Sequence, residues 1–387
     1  MTDMKYSFHI KNGHVVDPAS GIDGVRDIHI ANSRIAPPPG DGAAANQVVD
    51  ASGCFVFPGL IDFHTHLDRG HSDAGIHPDL MTLPNGVTAA VDAGSTGSSN
   101  FDGFYRNVIH GAETTVKAFI NIVGPGLSTE CYVERLEPEY YDKKRIAYMF
   151  ERYGDGLLGL KVRIGKLFSG DLGLVPLIET RKLARELGTR VCVHAVHPES
   201  PYDEILALLD EGDILCHCFQ NKGGVNILDD DGKVGRGAHE ARERGVVFDT
   251  ANGRGNYSFG VAKKAYADGF LPDVISTDVV DFSIYQPQVF SLPYVMAGYL
   301  GVGMPLIEVI RRVTETPARL MGLAGEIGTL APGALADVAI FKFMEAPIVI
   351  RDQLGDEVKA RGLLSPMMTV KAGRTAYTNI EFAFRNQ

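Results

Sequence analysis

Cysteine is scarce in this chain, and its few copies do not form a framework. The cysteines are an odd set of five without a C-x-x-C pair, namely Cys54, Cys131, Cys192, Cys216 and Cys218. Disulfide-stapled domains and thiolate zinc sites usually show paired, closely spaced cysteines, so both classes are disfavoured. Unpaired thiols are typical of a reducing compartment, and we therefore expect a cytoplasmic protein.

An excess of positive charge is also missing. The formal net charge is -11, which disfavours a nucleic-acid partner and an anionic membrane surface. The opening segment MTDMKYSFHIKNG has no apolar core followed by a cleavage site, so we do not expect a secretion signal. A small-molecule substrate fits this composition better, and a homo-oligomer stays open.

An uncharged run at residues 282–307 is long enough to suggest a membrane span. Pro287, Pro293 and Pro305 interrupt it, however, and proline breaks a helix interior. The run therefore predicts a loop followed by a buried helix around residues 292–300, and no membrane segment.

The chain changes its pattern twice. Residues 1–56 and 326–387 show alternation and turn signals typical of β-hairpins, and together they predict one small β domain. Residues 57–325 alternate strand-like and helical runs, which predicts a (β/α)8 barrel. The eight strand-like runs end near His66, Gly94, Val123, Lys161, His194, His217, Thr250 and Asp278.

Polar residues stand at the ends of five of these runs. GLIDFHTHLDRG places His64 and His66 two residues apart, so both side chains share one face of a strand. The runs LLGLKVRIG, RVCVHA, DILCHCF and VISTD supply Lys161, His194, His217 and Asp278. Each residue alone could be a hydrogen-bonded core residue or a cap. Together, at one barrel mouth, they would be a costly polar cluster unless a divalent metal bound them.

Lys161 fits such a cluster poorly as a plain amine. Its ammonium would repel a metal ion, and burying it without a partner is costly. Two explanations remain: a lysine that snorkels or pairs with Asp278, or a lysine carboxylated by CO2. In the second case, the carbamate oxygens would bridge two metal ions about 3.5–4 Å apart.

The combined pattern resembles the amidohydrolase superfamily, whose strand-end residues match these types in this order. PGLIDFHTHLD and GTLAPGALADVAIF resemble its usual entrance and exit phrases, and the flanking β segments resemble its small β-sandwich. The resemblance implies a hydrolase with two divalent metal ions, most simply zinc. His64, His66 and Asp278 would bind one ion, His194 and His217 the other, and carboxylated Lys161 would bridge them. Asp278 would also be the catalytic acid and base.

Within the superfamily, the sequence is most similar to a deacetylase-like branch often labelled dihydroorotase. It differs from the dihydroorotase type at Asp68, where that type has Arg, and at Phe282, where the bacterial type has His. These differences favour an open-chain acyl substrate, such as an N-acyl amino acid or an O-acyl α-hydroxy acid. A cyclic amide, as in dihydroorotase, is the alternative.

Three residues are candidates for substrate binding. Arg163 lies two residues beyond Lys161 on the same strand face, and its guanidinium suits a carboxylate close to the scissile bond. A structural ion pair with a neighbouring acid is an equally good explanation of Arg163. Asn252 and Arg254, in DTANGRGNYSF after the seventh strand, are weaker candidates.

Two other classes stay open. A non-catalytic oligomeric scaffold would have no need of six converging polar groups. A nucleobase deaminase of this superfamily usually holds one metal and lacks the strand-four lysine, so Lys161 disfavours it.

Overall fold

The computed structural model describes residues 6–39, 44–129, 131 and 133–386. Its strands, in chain order, are β1 (Tyr6–Asp17), β2 (Ile22–Ala31), β3 (Arg34–Ala36), β4 (Ala45–Asp50), β5 (Phe55–Pro58), β6 (Leu60–Thr65), β7 (Val87–Gly97), β8 (Thr115–Asn121), β9 (Leu157–Ile164), β10 (Arg190–Ala195), β11 (Ile214–Cys216), β12 (Val247–Phe248), β13 (Val338–Arg351), β14 (Glu357–Lys371) and β15 (Arg374–Thr378). Its α-helices are α1 (Pro78–Thr82), α2 (Phe101–Phe104), α3 (Lys143–Tyr153), α4 (Val175–Glu186), α5 (Tyr202–Ala207), α6 (Arg236–Glu243), α7 (Phe259–Ala267), α8 (Leu292–Val302), α9 (Leu306–Arg312), α10 (Glu315–Leu320) and α11 (Ile380–Arg385).

Both ends of the chain contribute to one sheet, as the sequence predicted. Its strand order is β15-β14-β13-β5-β1-β2-β3, and β4 pairs with β1. Alternate residues of β1 are buried, because successive side chains of a strand point to opposite faces. A separate hydrophobic core forms on this sheet and includes Phe8, Ile30, Val338 and Met368.

The middle of the chain forms a second, curled sheet of seven parallel strands in the order β12-β11-β10-β9-β8-β7-β6. Its strands β6 and β7 are buried along their whole length, as expected of a parallel sheet covered on both faces. The carboxyl ends of parallel strands lie at one edge of the sheet. Polar residues at those ends therefore come close together.

The predicted eighth strand is not a regular strand. Residues 274–279 make single parallel bridges to both edges of the sheet, Val279 to Thr65 of β6 and Val274 to Asp249 beyond β12. The backbone N–H of Asp278 also donates to the carbonyl of His64, at 2.7 Å. Asp278 has a φ of 50°, in the left-handed region, and extended pairing cannot continue through it.

Helices follow several of the parallel strands, as the alternating pattern of residues 57–325 predicted. The run LVPLIETRKLARELG forms α4, with proline in its first turn and Gly188 at a φ of 65° just beyond its end. The uncharged run forms a loop and then α8, which ends at Gly303 with a φ of 106°. None of the helices in the described ranges combines the length and the apolar composition that a bilayer span requires.

The turn between β13 and β14 joins the two sheets near the strand ends. Asp352 accepts a hydrogen bond from the backbone N–H of Phe259 at 2.7 Å, and Asp356 accepts one from that of Gly260 at 3.1 Å. Gln353, between these acids, lines the cavity at the carboxyl ends of the parallel strands. The chain-end sheet therefore forms part of the cavity wall.

Candidate functional site

An open cavity of about 560 Å³ lies over the carboxyl ends of the parallel strands. Five of the six predicted ligands line it: His64, His66, Lys161, His194 and Asp278. The sixth, His217, packs beside them, with its ring centroid 4.4 Å from that of His194 and 5.4 Å from that of His64. The structure therefore brings together all six residues that the sequence placed at strand ends.

The histidines at the end of β6 aim the same nitrogen at one carboxylate. Nε2 of His64 lies 3.6 Å from Oδ1 of Asp278, and Nε2 of His66 lies 3.3 Å from the same oxygen. The other ring nitrogen of each histidine has a hydrogen-bond partner on the side away from Asp278. Nδ1 of His64 lies 3.0 Å from Oδ2 of Asp249, and Nδ1 of His66 lies 2.9 Å from the Ser95 hydroxyl. Outer partners of this kind fix the tautomer and orientation of metal-binding imidazoles.

His194 and His217 each have one ring nitrogen that is available to bind a metal ion. Their Nε2 atoms are buried and have no hydrogen-bond partner among the described residues, although Nδ1 of His217 bonds to the Ala251 carbonyl at 2.7 Å. Burial lowers the pKa of His217 to about 3 and holds the pKa of His194 well below its usual value. Both rings are therefore neutral near pH 7, and neutral imidazole is the form that binds metal. The donor set fits a divalent ion.

Lys161 is buried between the histidines and two thiols. Its Nζ lies 3.2 Å from Nε2 of His64, 3.6 Å from Sγ of Cys216 and 3.8 Å from Sγ of Cys192. Gly94 of β7 packs directly on it, since a Cβ added to Gly94 would lie 2.6 Å from the Lys161 Cβ. The side chain is thus confined to the centre of the cluster.

Asp278 is ionised in this setting. Burial alone would raise its pKa, but the hydrogen bond from His66 and the neighbouring His64 and His217 together lower it. Its second oxygen, Oδ2, accepts a hydrogen bond from Nδ2 of Asn256 at 3.3 Å. An ionised carboxylate can serve both as a metal ligand and as a proton acceptor.

Of the three predicted substrate contacts, two line the cavity and one does not. Arg163 lines the cavity, but its Nη2 and Nε lie 2.7 and 2.9 Å from Oε1 of the buried Glu134, and its guanidinium packs on the Phe168 ring. Arg254 also lines the cavity and lies over the Phe282 ring at 4.6 Å. Asn252 is not among the residues that line this cavity. Its side-chain oxygen accepts a hydrogen bond from Tyr299 at 3.1 Å instead.

Two further polar residues of the cavity were not predicted. Nζ of Lys222 donates to Oδ1 of Asn256 at 3.1 Å, and Asn256 in turn donates to Asp278. Burial and the nearby positive charge of Arg254 lower the pKa of Lys222. Both residues lie in loops after strands, where sequence periodicity gives no signal.

Asp249 is a third residue that the sequence analysis missed. It is buried and accepts a hydrogen bond from the Ser276 hydroxyl at 2.5 Å in addition to its contact with His64. Burial raises its pKa to about 6. An acidic residue directly after the apolar run VVF was the available signal, because such a residue at a strand end faces the same mouth as the ligands.

The two positions that differ from the dihydroorotase type have local explanations. Asp68 is buried and lies 3.0 Å from Nδ1 of His71. Arg69, the next residue, is exposed and pairs with Asp281 at 3.6 Å. Phe282 lies at the rim of the cavity, 41% exposed, where it packs against Arg254.

Comparisons with known proteins show the family of the chain. The profile of the amidohydrolase family matches residues 55–378. The chain is similar to "Deacetylase Atu3266" of Agrobacterium fabrum, with 35% identity over 84% of this chain and 80% of that protein. It is also similar to a protein named Deacetylase from Enterococcus faecalis, with 30% identity over 96% of this chain and 99% of that protein.

Solved structures show the same similarity along nearly the whole chain. One described as an adenine deaminase superposes with a TM-score of 0.87 at 30% identity, covering 97% of this chain and all of the other. One described as a dihydroorotase superposes with a TM-score of 0.86 at 31% identity, covering 95% of this chain and 97% of the other.

Proposed function

The chain belongs to the amidohydrolase family, and from that premise we propose that it is a metal-dependent hydrolase that removes an acyl group from a small carboxylate-bearing amide or ester. An acetyl group on an amino acid or on an α-hydroxy acid is the simplest substrate of this kind. The observation that carries the proposal is the convergence of four imidazoles, Lys161 and Asp278, with two buried Nε2 atoms lacking partners among the described residues.

The six residues divide into two sets of metal ligands. His64, His66 and Asp278 would hold one ion, because their donor atoms lie within 4.8 Å of one another. His194 and His217 would hold a second ion, with carboxylated Lys161 between the two. Nitrogen and oxygen donors suit zinc. When bound, the ions supply a water of lowered pKa and polarise the scissile carbonyl.

Asp278 is the group that moves the proton. Its ionised carboxylate accepts a proton from the attacking water and delivers it to the leaving nitrogen or oxygen. Asn256 holds the second carboxylate oxygen and keeps the first directed at the histidines.

Deacylation of an open-chain substrate is favoured over ring opening. The relatives named Deacetylase cover 83–96% of this chain, whereas those named Dihydroorotase match 15–24% of it. Asp68 and Phe282 also stand where the dihydroorotase type has Arg and His. Cyclic amide hydrolysis remains the second candidate, since a structure described as a dihydroorotase is 31% identical to this chain.

The remaining expectations complete the proposal. Residues 274–279 would act as the eighth strand and close a (β/α)8 barrel over residues 57–325. Residues 1–56 and 326–387 would form a small β-sandwich. We propose that the enzyme works in the cytoplasm on a small molecule, with neither nucleic acid nor membrane as partner, and that it can assemble with copies of itself. Of the three predicted substrate contacts, Arg163, Asn252 and Arg254, the two arginines line the cavity and are the candidates to meet a substrate.

An activity screen of the metal-loaded enzyme tests the proposed reaction. The panel contains N-acetyl amino acids, O-acetyl α-hydroxy acids, dihydroorotate and adenine, with release of acetate, acid or ammonia as the readout. We expect acetate release from one of the first two groups to be the fastest reaction. A higher kcat/KM for dihydroorotate or adenine would overturn the deacylase assignment.

A further inference from the structure

The cations of the cavity are not equally free to bind an anion. The charge of Arg163 is already paired, because two of its nitrogens contact Oε1 of Glu134. The face of its guanidinium packs on Phe168. The Glu134 side chain is only 5% exposed, so it cannot readily leave this pair for water. Binding of a substrate carboxylate at Arg163 would place two carboxylates on one guanidinium.

Lys222 and Arg254 are in the opposite situation. Among the described residues, neither cation forms a salt bridge within 4.0 Å, and Asp278 acts on Lys222 only as a more distant negative charge. Each side chain contacts a neutral group instead, Asn256 for Lys222 and the Phe282 ring for Arg254. Lys222 is partly buried and Arg254 is exposed, and both line the same cavity. Burial and repulsion by Arg254 lower the pKa of Lys222, and an anion bound between the two cations would relieve that repulsion.

The position of Lys222 ties such an anion to the reacting atoms. One amide, Asn256, bridges Lys222 and Asp278 with hydrogen bonds of 3.1 and 3.3 Å. Asp278 is the group that protonates the leaving nitrogen or oxygen in the proposed reaction. A carboxylate held by Lys222 therefore lies beside the leaving atom, as it does in an acyl derivative of an α-amino or α-hydroxy acid.

We propose that Lys222 and Arg254 form a carboxylate subsite beside Asp278, and that the leaving group of the substrate binds there through its α-carboxylate rather than at Arg163. The inference rests on the proposed function and narrows its substrate class to α-substituted acids. Charge-assisted hydrogen bonds from Lys222 and Arg254 would hold the carboxylate. Asn256 would fix the position of Lys222 relative to Asp278 through its hydrogen bonds to both.

Matched substrates and variants test the subsite. The substrates are N-acetylalanine and its neutral amide, and the variants are Lys222→Met, Arg254→Met and Arg163→Met, each compared with wild type. We expect Lys222→Met to lower kcat/KM for N-acetylalanine at least tenfold more than kcat/KM for the amide, mainly through KM. Arg254→Met should act in the same direction, and Lys222→Arg should restore part of the loss. Arg163→Met should change both substrates by a similar factor.

Calorimetric binding of lactate and lactamide to the metal-loaded protein separates this inference from the proposed reaction. Loss of lactate binding in Lys222→Met, with lactamide binding unchanged, supports the subsite even if no substrate is deacylated. A deacylase whose lactate binding survives Lys222→Met, or whose carboxylate preference disappears only in Arg163→Met, overturns it. Lys222→Gln controls for a folding defect. We expect its unfolding temperature to match that of wild type and its lactate binding to be lost as in Lys222→Met.

Discussion

Nδ1 of His64 lies 3.0 Å from Oδ2 of Asp249, and both side chains are buried at the ends of the two edge strands of the parallel sheet. This contact points Nε2 of His64 towards Asp278. It also links the first and last strands through side chains at the point where backbone pairing is limited to single bridges.

Asp249→Asn should weaken metal binding while preserving the fold. The neutral amide supports His64 less well, and loss of such an outer partner typically costs about 10–100-fold in metal affinity. Competition with a chromogenic chelator measures the change. Asp229→Asn, in the turn between Leu228 and Val234, is the control and should bind metal as wild type does. Equal affinity of the Asp249→Asn variant and wild type would contradict the role of Asp249.

Lys161→Ala should reduce the metal content from two ions per chain to one and abolish nearly all turnover. The side chain lies at the centre of the histidine cluster, where its carbamate would bridge the ions. Elemental analysis after loading with zinc and bicarbonate gives the stoichiometry, and acetate or propionate should restore part of the activity. Lys166→Ala, at an exposed position just beyond β9, is the control. Two tightly bound ions in Lys161→Ala would refute the bridging role.

Asp278→Asn should lower kcat by about 10²–10⁴, the usual contribution of general acid and base catalysis. The amide can still coordinate a metal through its oxygen, so much of the metal should remain bound. Steady-state kinetics and elemental analysis on the same preparation separate the two effects. Near-normal kcat with full metal content would show that another group moves the proton.

Gly94→Ala should reproduce much of the Lys161→Ala phenotype without removing a polar group. Gly94 has a φ of 91°, and its added Cβ would meet the Lys161 Cβ at 2.6 Å. The left-handed backbone adds a cost of about 1–2 kcal/mol for any residue with a Cβ. Gly53→Ala is the matched control, since Gly53 has a φ of 73° with nothing within 4 Å of the added Cβ. We expect both variants to be less stable in urea, but only Gly94→Ala to lose metal and activity.

The sequence predicted the ligand cluster because each member ends an apolar run. A His, Lys or Asp at or near the end of a short apolar run can be recognised without knowledge of the tertiary structure, and the strand order then brings these residues to one edge of the sheet. VISTD and the following Val279 lie between the two edge strands, as predicted, but they make only single bridges to them, and the positive φ of Asp278 interrupts regular pairing. Periodicity cannot report a left-handed residue in a run that contains no glycine.

The partners of the cluster could not be read in the same way. The sequence correctly predicted that Arg163 faces the cavity, but its partner Glu134 lies 29 residues earlier in a loop. The hydrogen bond between Asn252 and Tyr299 likewise joins positions 47 residues apart. Each of these contacts joins a loop residue to a strand or helix that is distant in the sequence, and hydrophobic periodicity does not report such long-range pairing.

The turn at Asp352 and Gln353 has a consequence for how this enzyme could diversify. It belongs to the sheet made by the chain ends, yet it supplies part of the cavity wall and caps the start of α7. Exchange of this short turn between relatives would alter the shape of the cavity without disturbing a single ligand strand. Selectivity and chemistry could therefore be inherited, or engineered, as separate modules.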